Sequence, residues 1–121
     1  MQENQSVFKE VIGKTFVEIK KDGQESLAFL TSDGSKYLMY HSQDCCETVE
    51  IEDICGDLND LVGSPILRFD ETTKIGDNDD RSETWTFYNI STNKGTVTIR
   101  WYGHSNGYYS ERVDFVKIEQ E

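Results

Sequence analysis

Four residues between positions 41 and 55 have side chains that suit a zinc ion or a nucleophilic site: His41, Cys45, Cys46 and Cys55. Imidazole and thiolate suit zinc. The spacing matches no common zinc pattern, which holds ligands in pairs two to four residues apart. Adjacent cysteines on a strand point to opposite faces, so Cys45 and Cys46 share an ion only if Asp44-Cys45 forms a turn. Otherwise one cysteine packs in the core and the other lies near the surface. A cysteine nucleophile needs a thiolate and a nearby base, here His41 or His104. Asp44 and Glu47 flank the pair, and negative neighbours disfavour a thiolate. Under oxidation a vicinal disulfide is the more natural fate of Cys45-Cys46. A small metal-binding protein or enzyme centred on these four residues is one reading, which stoichiometric zinc in the purified protein would favour.

The second group is acidic. Between Lys36 and Arg68 there is no lysine or arginine, while Asp44, Glu47, Glu50, Glu52, Asp53, Asp57 and Asp60 all fall there. On a regular strand Glu50 and Glu52 project on one face, about 6.6 Å apart from the rise per residue. That repeat approaches the spacing of phosphates along a DNA strand. A fixed row of carboxylates can occupy a basic groove, with fast, salt-sensitive association. The plainer explanation is a solvated face that maintains solubility.

Two loops complete the inventory. Gly76-Asp77-Asn78-Asp79-Asp80 is rich in calcium-type ligands but lacks the EF-hand order, so it reads as an acidic loop. The tip from Gly103 to Ser110 contains Tyr108 and Tyr109 among serine, asparagine and glycine, a composition suited to adaptable contacts. It reads equally as a hairpin turn whose tyrosines cover a sheet. The sequence has no G-x-S-x-G, G-x-x-x-x-G-K-[ST], H-E-x-x-H or G-x-G-x-x-G. Catalysis is therefore not the favoured reading.

The elements that position these residues follow from periodicity. Residues 4–12 predict a helix, with Val7, Phe8, Val11 and Ile12 on one stripe and Gly13 as the stop. The period then changes to two. Strands are expected at 15–20, 26–31 and 36–41, with Asp22-Gly23 and Asp33-Gly34 at the turns. Thr48 to Glu52 alternates, with Val49 and Ile51 inward. A second short helix is expected near 57–62, capped by Asp57 and ended by Gly63. Ile66 to Phe69 reads as a strand, and residues 70–83 as an exposed acidic loop. The strongest β signal lies at 84–90 and 96–102, with Val97, Ile99 and Trp101 inward. A last strand runs from Tyr109 to Ile118, with Val113 and Phe115 inward. The fold class expected is α+β, mainly β: a six- to seven-stranded antiparallel sheet or small half-barrel with two short helices, in one domain over 1–121.

Composition bounds the partners. The chain has 121 residues and a formal net charge of −11. Such a surface repels nucleic-acid backbone and non-specific membrane binding, so basic proteins or metal ions are the expected partners. Imitation of nucleic acid stays open. An odd cysteine count and no visible signal peptide point to a cytoplasmic setting with free thiols. No apolar run approaches the ~20 residues of a membrane span.

Two stretches carry a resemblance. His41-Ser42-Gln43-Asp44-Cys45-Cys46-Glu47 leads into Ile51-Glu52-Asp53-Ile54. Trp85-Thr86-Phe87-Tyr88 is followed by Arg100-Trp101-Tyr102-Gly103-His104-Ser105-Asn106-Gly107-Tyr108-Tyr109-Ser110. Together they resemble a family of small uncharacterised proteins encoded by bacteriophages and prophages, over about residues 13–115. The resemblance implies no activity and no catalytic residues. It implies a host cytoplasm, where short proteins often act by binding host machinery. The leading expectation is a non-catalytic acidic protein that binds a host protein with a basic surface, as an inhibitor of a nucleic-acid-handling or defence system. Its contact residues would be Asp44, Glu47, Glu50, Glu52, Asp53, Asp57 and Asp60, with Tyr108 and Tyr109 as a second surface. A third reading is a phage particle or assembly component, which requires self-association.

Overall fold

The computed structural model describes residues 3–43, 46–78, 81–105 and 110–118. In chain order the elements are α1 (Glu3–Val11), β1 (Phe16–Asp22), β2 (Ser26–Thr31), β3 (Lys36–Tyr40), β4 (Thr48–Cys55), a 3-10 turn (Leu58–Leu61), β5 (Arg68–Asn78), β6 (Arg81–Thr92), β7 (Gly95–Ser105) and β8 (Asp114–Ile118).

The period-two segments fold as expected. In β2 the inward side chains are Leu27, Phe29 and Thr31, and in β3 they are Tyr37 and Met39. Gly23 and Gly34 take positive φ at the two hairpin turns, where a side chain would be strained. The strands form two antiparallel sheets of four, ordered β1-β2-β3-β8 and β4-β7-β6-β5. Their apolar faces meet in one core that includes Phe29, Phe115, Ile99 and Trp101, all fully buried. Each such side chain contributes about 1.5–3 kcal/mol through burial. Trp101 also donates its indole N–H to Met39 Sδ across the core at 3.3 Å.

Both open sides are closed. Along one, α1 lies between β8 and β5, with the Phe8 ring stacked on Phe69 at 4.8 Å and 5.5 Å from Phe115. Along the other, Ile51 N donates to Gln24 O at 2.7 Å, and Gly63 N donates to Phe16 O at 2.8 Å. These bonds tie the first sheet to β4 and to the segment after the 3-10 turn.

The structure corrects several sequence expectations. The domain has eight strands among the described residues, in two sheets rather than one sheet or a half-barrel. The expected loop at 70–83 is largely strand: β5 runs to Asn78 and pairs with β6 from Arg68↔Ser91 to Asn78↔Arg81. Backbone pairing carries this hairpin, and its distal inner face looks onto an open cleft, so the apolar alternation that marks a core strand is absent. The last strand begins at Asp114; residues 110–113 run over the core without strand pairing, though Val113 and Phe115 do point inward. Ile12 leaves the helical stripe and stands 44% exposed. The second helix is a four-residue 3-10 turn whose start is capped by Asp57 Oδ1, accepting from Asn59 N at 2.9 Å.

Candidate functional site

Three of the acidic residues, Glu50, Glu52 and Asp53, lie along β4, and a bulge rearranges them. Ile51 pairs with Trp101 and Asp53 with Arg100, so Glu52 is an extra residue on the β4 side. The extra residue shifts the alternation by one: Val49 and Ile51 point inward before it, and half-buried Ile54 after it. Glu50 and Glu52 therefore do not form the regular repeat expected from the sequence. Instead Glu52 and Asp53 flank Arg100, with Glu52 Oε1 2.7 Å from Nε and Asp53 Oδ2 3.8 Å from a terminal nitrogen. The Nε–H is not aimed at that oxygen, so the contact is ionic without an aligned hydrogen bond. The local sequence lacks a cation, and β7 supplies one. Farther along, Asp57 serves the cap, and half-buried Asp60 accepts from Thr92 Oγ1 through its backbone carbonyl at 2.5 Å.

The same outward face carries a row of rings. Cross-strand register places Trp85 opposite Tyr102, Glu83 opposite His104 and Phe87 opposite Arg100. All are partly exposed. The Trp85 and Tyr102 rings lie 5.2 Å apart, and Tyr102 and His104 5.5 Å. The Tyr102 hydroxyl donates to Glu83 Oε2, which fixes both side chains. Glu50 pairs with Tyr102 from the other side. Gly76 makes room for the indole, because a Cβ there would fall 2.9 Å from Trp85 Cζ3. The result is an aromatic ledge bordered by Glu50, Glu52, Asp53 and Glu83. Its residues alternate with the inward Trp101, Tyr88 and Thr86, so the signal was present in the sequence: placing Trp101 inside puts Arg100 and Tyr102 outside.

Glu47 does not belong to this surface. Its side chain is fully enclosed and lies 2.7 Å from His41 Nε2, itself only 4% exposed. His41 Nδ1 lies 2.6 Å from the carbonyl oxygen of Arg112. A carbonyl only accepts, so Nδ1 carries a proton, and the imidazole bridges the segment before β8 to the segment before β4. Both its ring nitrogens are occupied in this stitch. Cys46 is disulfide-bonded, while Cys55 is an exposed free thiol. The expectation of free thiols thus holds for Cys55 and fails for Cys46. Cys55 pairs with Thr98 at the far end of β4 from Thr48, roughly 20 Å along the strand from the Cys46 end. One ion cannot take both sulfurs at that separation. No group of three or more metal-type side chains gathers among the described residues. Asp44, Cys45, Tyr108 and Tyr109 lie outside the described residues.

Comparison with protein families gives a match to a domain of unknown function, DUF7448, over residues 9–115. The chain belongs to the DUF7448 family. The match covers nearly the same stretch as the resemblance drawn from the sequence and brings no activity with it. No curated protein and no solved structure matches the chain. None of the helices described in this DUF7448 domain is long and apolar enough to cross a membrane.

The domain also holds a polar interior that sequence reasoning missed. Glu111 is buried, accepting from Thr84 Oγ1 at 2.7 Å and from Ser105 Oγ at 2.6 Å. Gly103 lets it approach, since a Cβ there would meet Glu111 Cβ at 3.0 Å. Tyr88 is fully buried and donates to Glu71 Oε2 at 2.6 Å. Burial, then the Glu71 charge, push its phenol far above the ordinary tyrosine value. Glu71 and Glu111 border an open cleft of about 330 Å³ with Thr73, Ile75 and Arg112. Each carboxylate there already accepts hydrogen bonds from the fold, which marks the cluster as an internal brace for the 110–113 segment.

Proposed function

We propose that this domain is a non-catalytic binding protein that presents the outer face of the β4-β7-β6-β5 sheet to a protein with a basic surface. The supporting observation is the ledge of Trp85, Tyr102 and Phe87 framed by Glu50, Glu52, Asp53 and Glu83. Rings and carboxylates side by side suit lysine and arginine, which gain from the ring face and the charge together. A net charge of −11 draws such partners from a distance. In the phage setting implied by the sequence resemblance, the partner is a host cytoplasmic protein, and blocking a nucleic-acid-handling or defence factor is the natural consequence. Asp57 and Asp60 extend the acidic surface without belonging to the ledge.

The test is capture from host lysate at low and moderate salt, with unaltered protein beside a Glu50→Lys/Glu52→Lys variant. The reading expects one dominant basic partner, lost as salt rises and lost with the variant while the fold persists. Equal capture by the variant would remove the acidic face from the site.

The metal reading has less support. Of its residues, Cys46 is held in a disulfide, His41 in an internal stitch, and Cys55 is a thiol at the far end of β4.

A further inference from the structure

Strand β5 is an outer edge of the second sheet, with β6 on one side and, among the described residues, no strand on the other, where α1 packs beside its Phe69 end. Long, regular edges invite pairing with another strand. This one carries a self-complementary pattern. Arg68, Asp70, Thr72, Lys74 and Gly76 form the outward row, and Phe69, Glu71, Thr73 and Ile75 the inward row. Ile75 is 76% exposed, although it lies on the inward row. Beside Phe69 is a hollow of about 220 Å³ lined by Phe8, Ile12 and Phe69 together with Lys9, Asp70 and Glu71. An exposed apolar side chain and a partly apolar hollow thus occupy one edge.

Symmetry restricts how two such edges meet. A strand pairs with its own image about a two-fold axis normal to the sheet only where opposed residues share a face, so the axis passes through a residue. An axis through Asp70, Glu71 or Lys74 sets that charge against its own copy. An axis through Thr73 sets Glu71 against Ile75. An axis through Thr72 sets Asp70 against Lys74 of the second copy, twice by symmetry. It also sets Phe69 against Ile75, so that each isoleucine faces the other copy's hollow. Glu71 then opposes Thr73, and Arg68 opposes Gly76, leaving no like charges directly opposed.

We propose that the protein forms a two-fold dimer by antiparallel pairing of β5 with β5 of a second copy, in the register centred on Thr72. The pairing joins two four-stranded sheets into one of eight strands and makes the two outer faces continuous. It does not depend on the basic-partner reading, because the edge and the ledge use different residues.

The test is sedimentation velocity on the unaltered protein and on Asp70→Lys, Lys74→Asp and Ile75→Lys across the micromolar range, with circular dichroism to confirm that each is folded. The unaltered protein should sediment as twice 13.9 kDa, and each folded variant as a monomer. An equimolar mixture of Asp70→Lys and Lys74→Asp should recover the dimer, since both cross-strand pairs are then opposite in charge. The mixture separates a lost contact from a damaged fold. A monomeric unaltered protein, dimeric single variants or a mixture that stays monomeric would each overturn the proposal.

Discussion

Replacing His41 by alanine separates a structural role from a functional one. The imidazole bridges the Glu47 carboxyl group at 2.7 Å and the Arg112 carbonyl at 2.6 Å, and both side chains of the His41–Glu47 pair are enclosed, at 4% and 0% exposure. Removing it takes away the ring nitrogen that faces the enclosed Glu47 carboxyl group and the bridge to the Arg112 carbonyl. Breaking an enclosed pair by deleting one partner costs about 3–5 kcal/mol. Against the 5–15 kcal/mol typical of a domain, that is a fifth or more of the stability. At roughly 4 °C per kcal/mol for a domain of this size, the melting temperature should fall by about 12–20 °C. Urea unfolding followed by circular dichroism measures the change, with an unchanged denaturant slope showing that the unfolding reaction is the same. Alanine at both positions should cost less than the two single changes added together. Salt should alter these losses little, because an enclosed pair is poorly screened. A His41→Ala protein within about 1 kcal/mol of the unaltered one would refute the stitch.

Other expectations follow from the same contacts. Gly76→Val should displace the Trp85 indole, whose Cζ3 would lie 2.9 Å from the new Cβ, costing about 1–3 kcal/mol and shifting tryptophan emission. Tyr88 and Tyr37 both hold their protons more tightly when folded, chiefly through burial and secondly through Glu71 and Glu10 respectively. Their contribution is full below the ordinary tyrosine value near ~10 and declines as pH rises past it, so the urea midpoint should fall on the alkaline side, less steeply in Tyr88→Phe. Asp33 moves the other way. Hydrogen bonds from Thr31, then from Ser35 N, and the Lys14 contact hold its carboxyl below the usual aspartate range. Its contribution is therefore present at neutral pH and lost on acidification, and Asp33→Asn should flatten that acid limb.

The sequence made the first sheet readable because Leu27, Phe29, Tyr37 and Met39 alternate with outward residues between two Asp-Gly turns. It also revealed the inward side of β7 through Val97, Ile99 and Trp101. It concealed β5, since Thr72, Thr73 and Lys74 sit on an edge with a cleft on one side and solvent on the other. Neither face demands apolar residues there. The β4 bulge was hidden for another reason: Glu50-Ile51-Glu52 alternates locally, and only the pairing of Asp53 with Arg100 reveals the extra residue. Composition marked Glu47 as one more surface acid, whereas His41 and the approach to β8 enclose it. A charge count cannot distinguish these cases, because burial depends on strands distant in sequence. The ledge lay within reach, as Tyr102 and Arg100 must point outward once Trp101 points inward.

The most direct test of the basic-partner account is acrylamide quenching of tryptophan fluorescence, with and without the captured basic protein. Trp101 is fully buried and Trp85 partly exposed, so quenching reports chiefly on the ledge. Binding should shield Trp85 at low salt, and the shielding should disappear as salt rises. Unchanged quenching in a complex shown to have formed would contradict it and place the contact elsewhere on the domain.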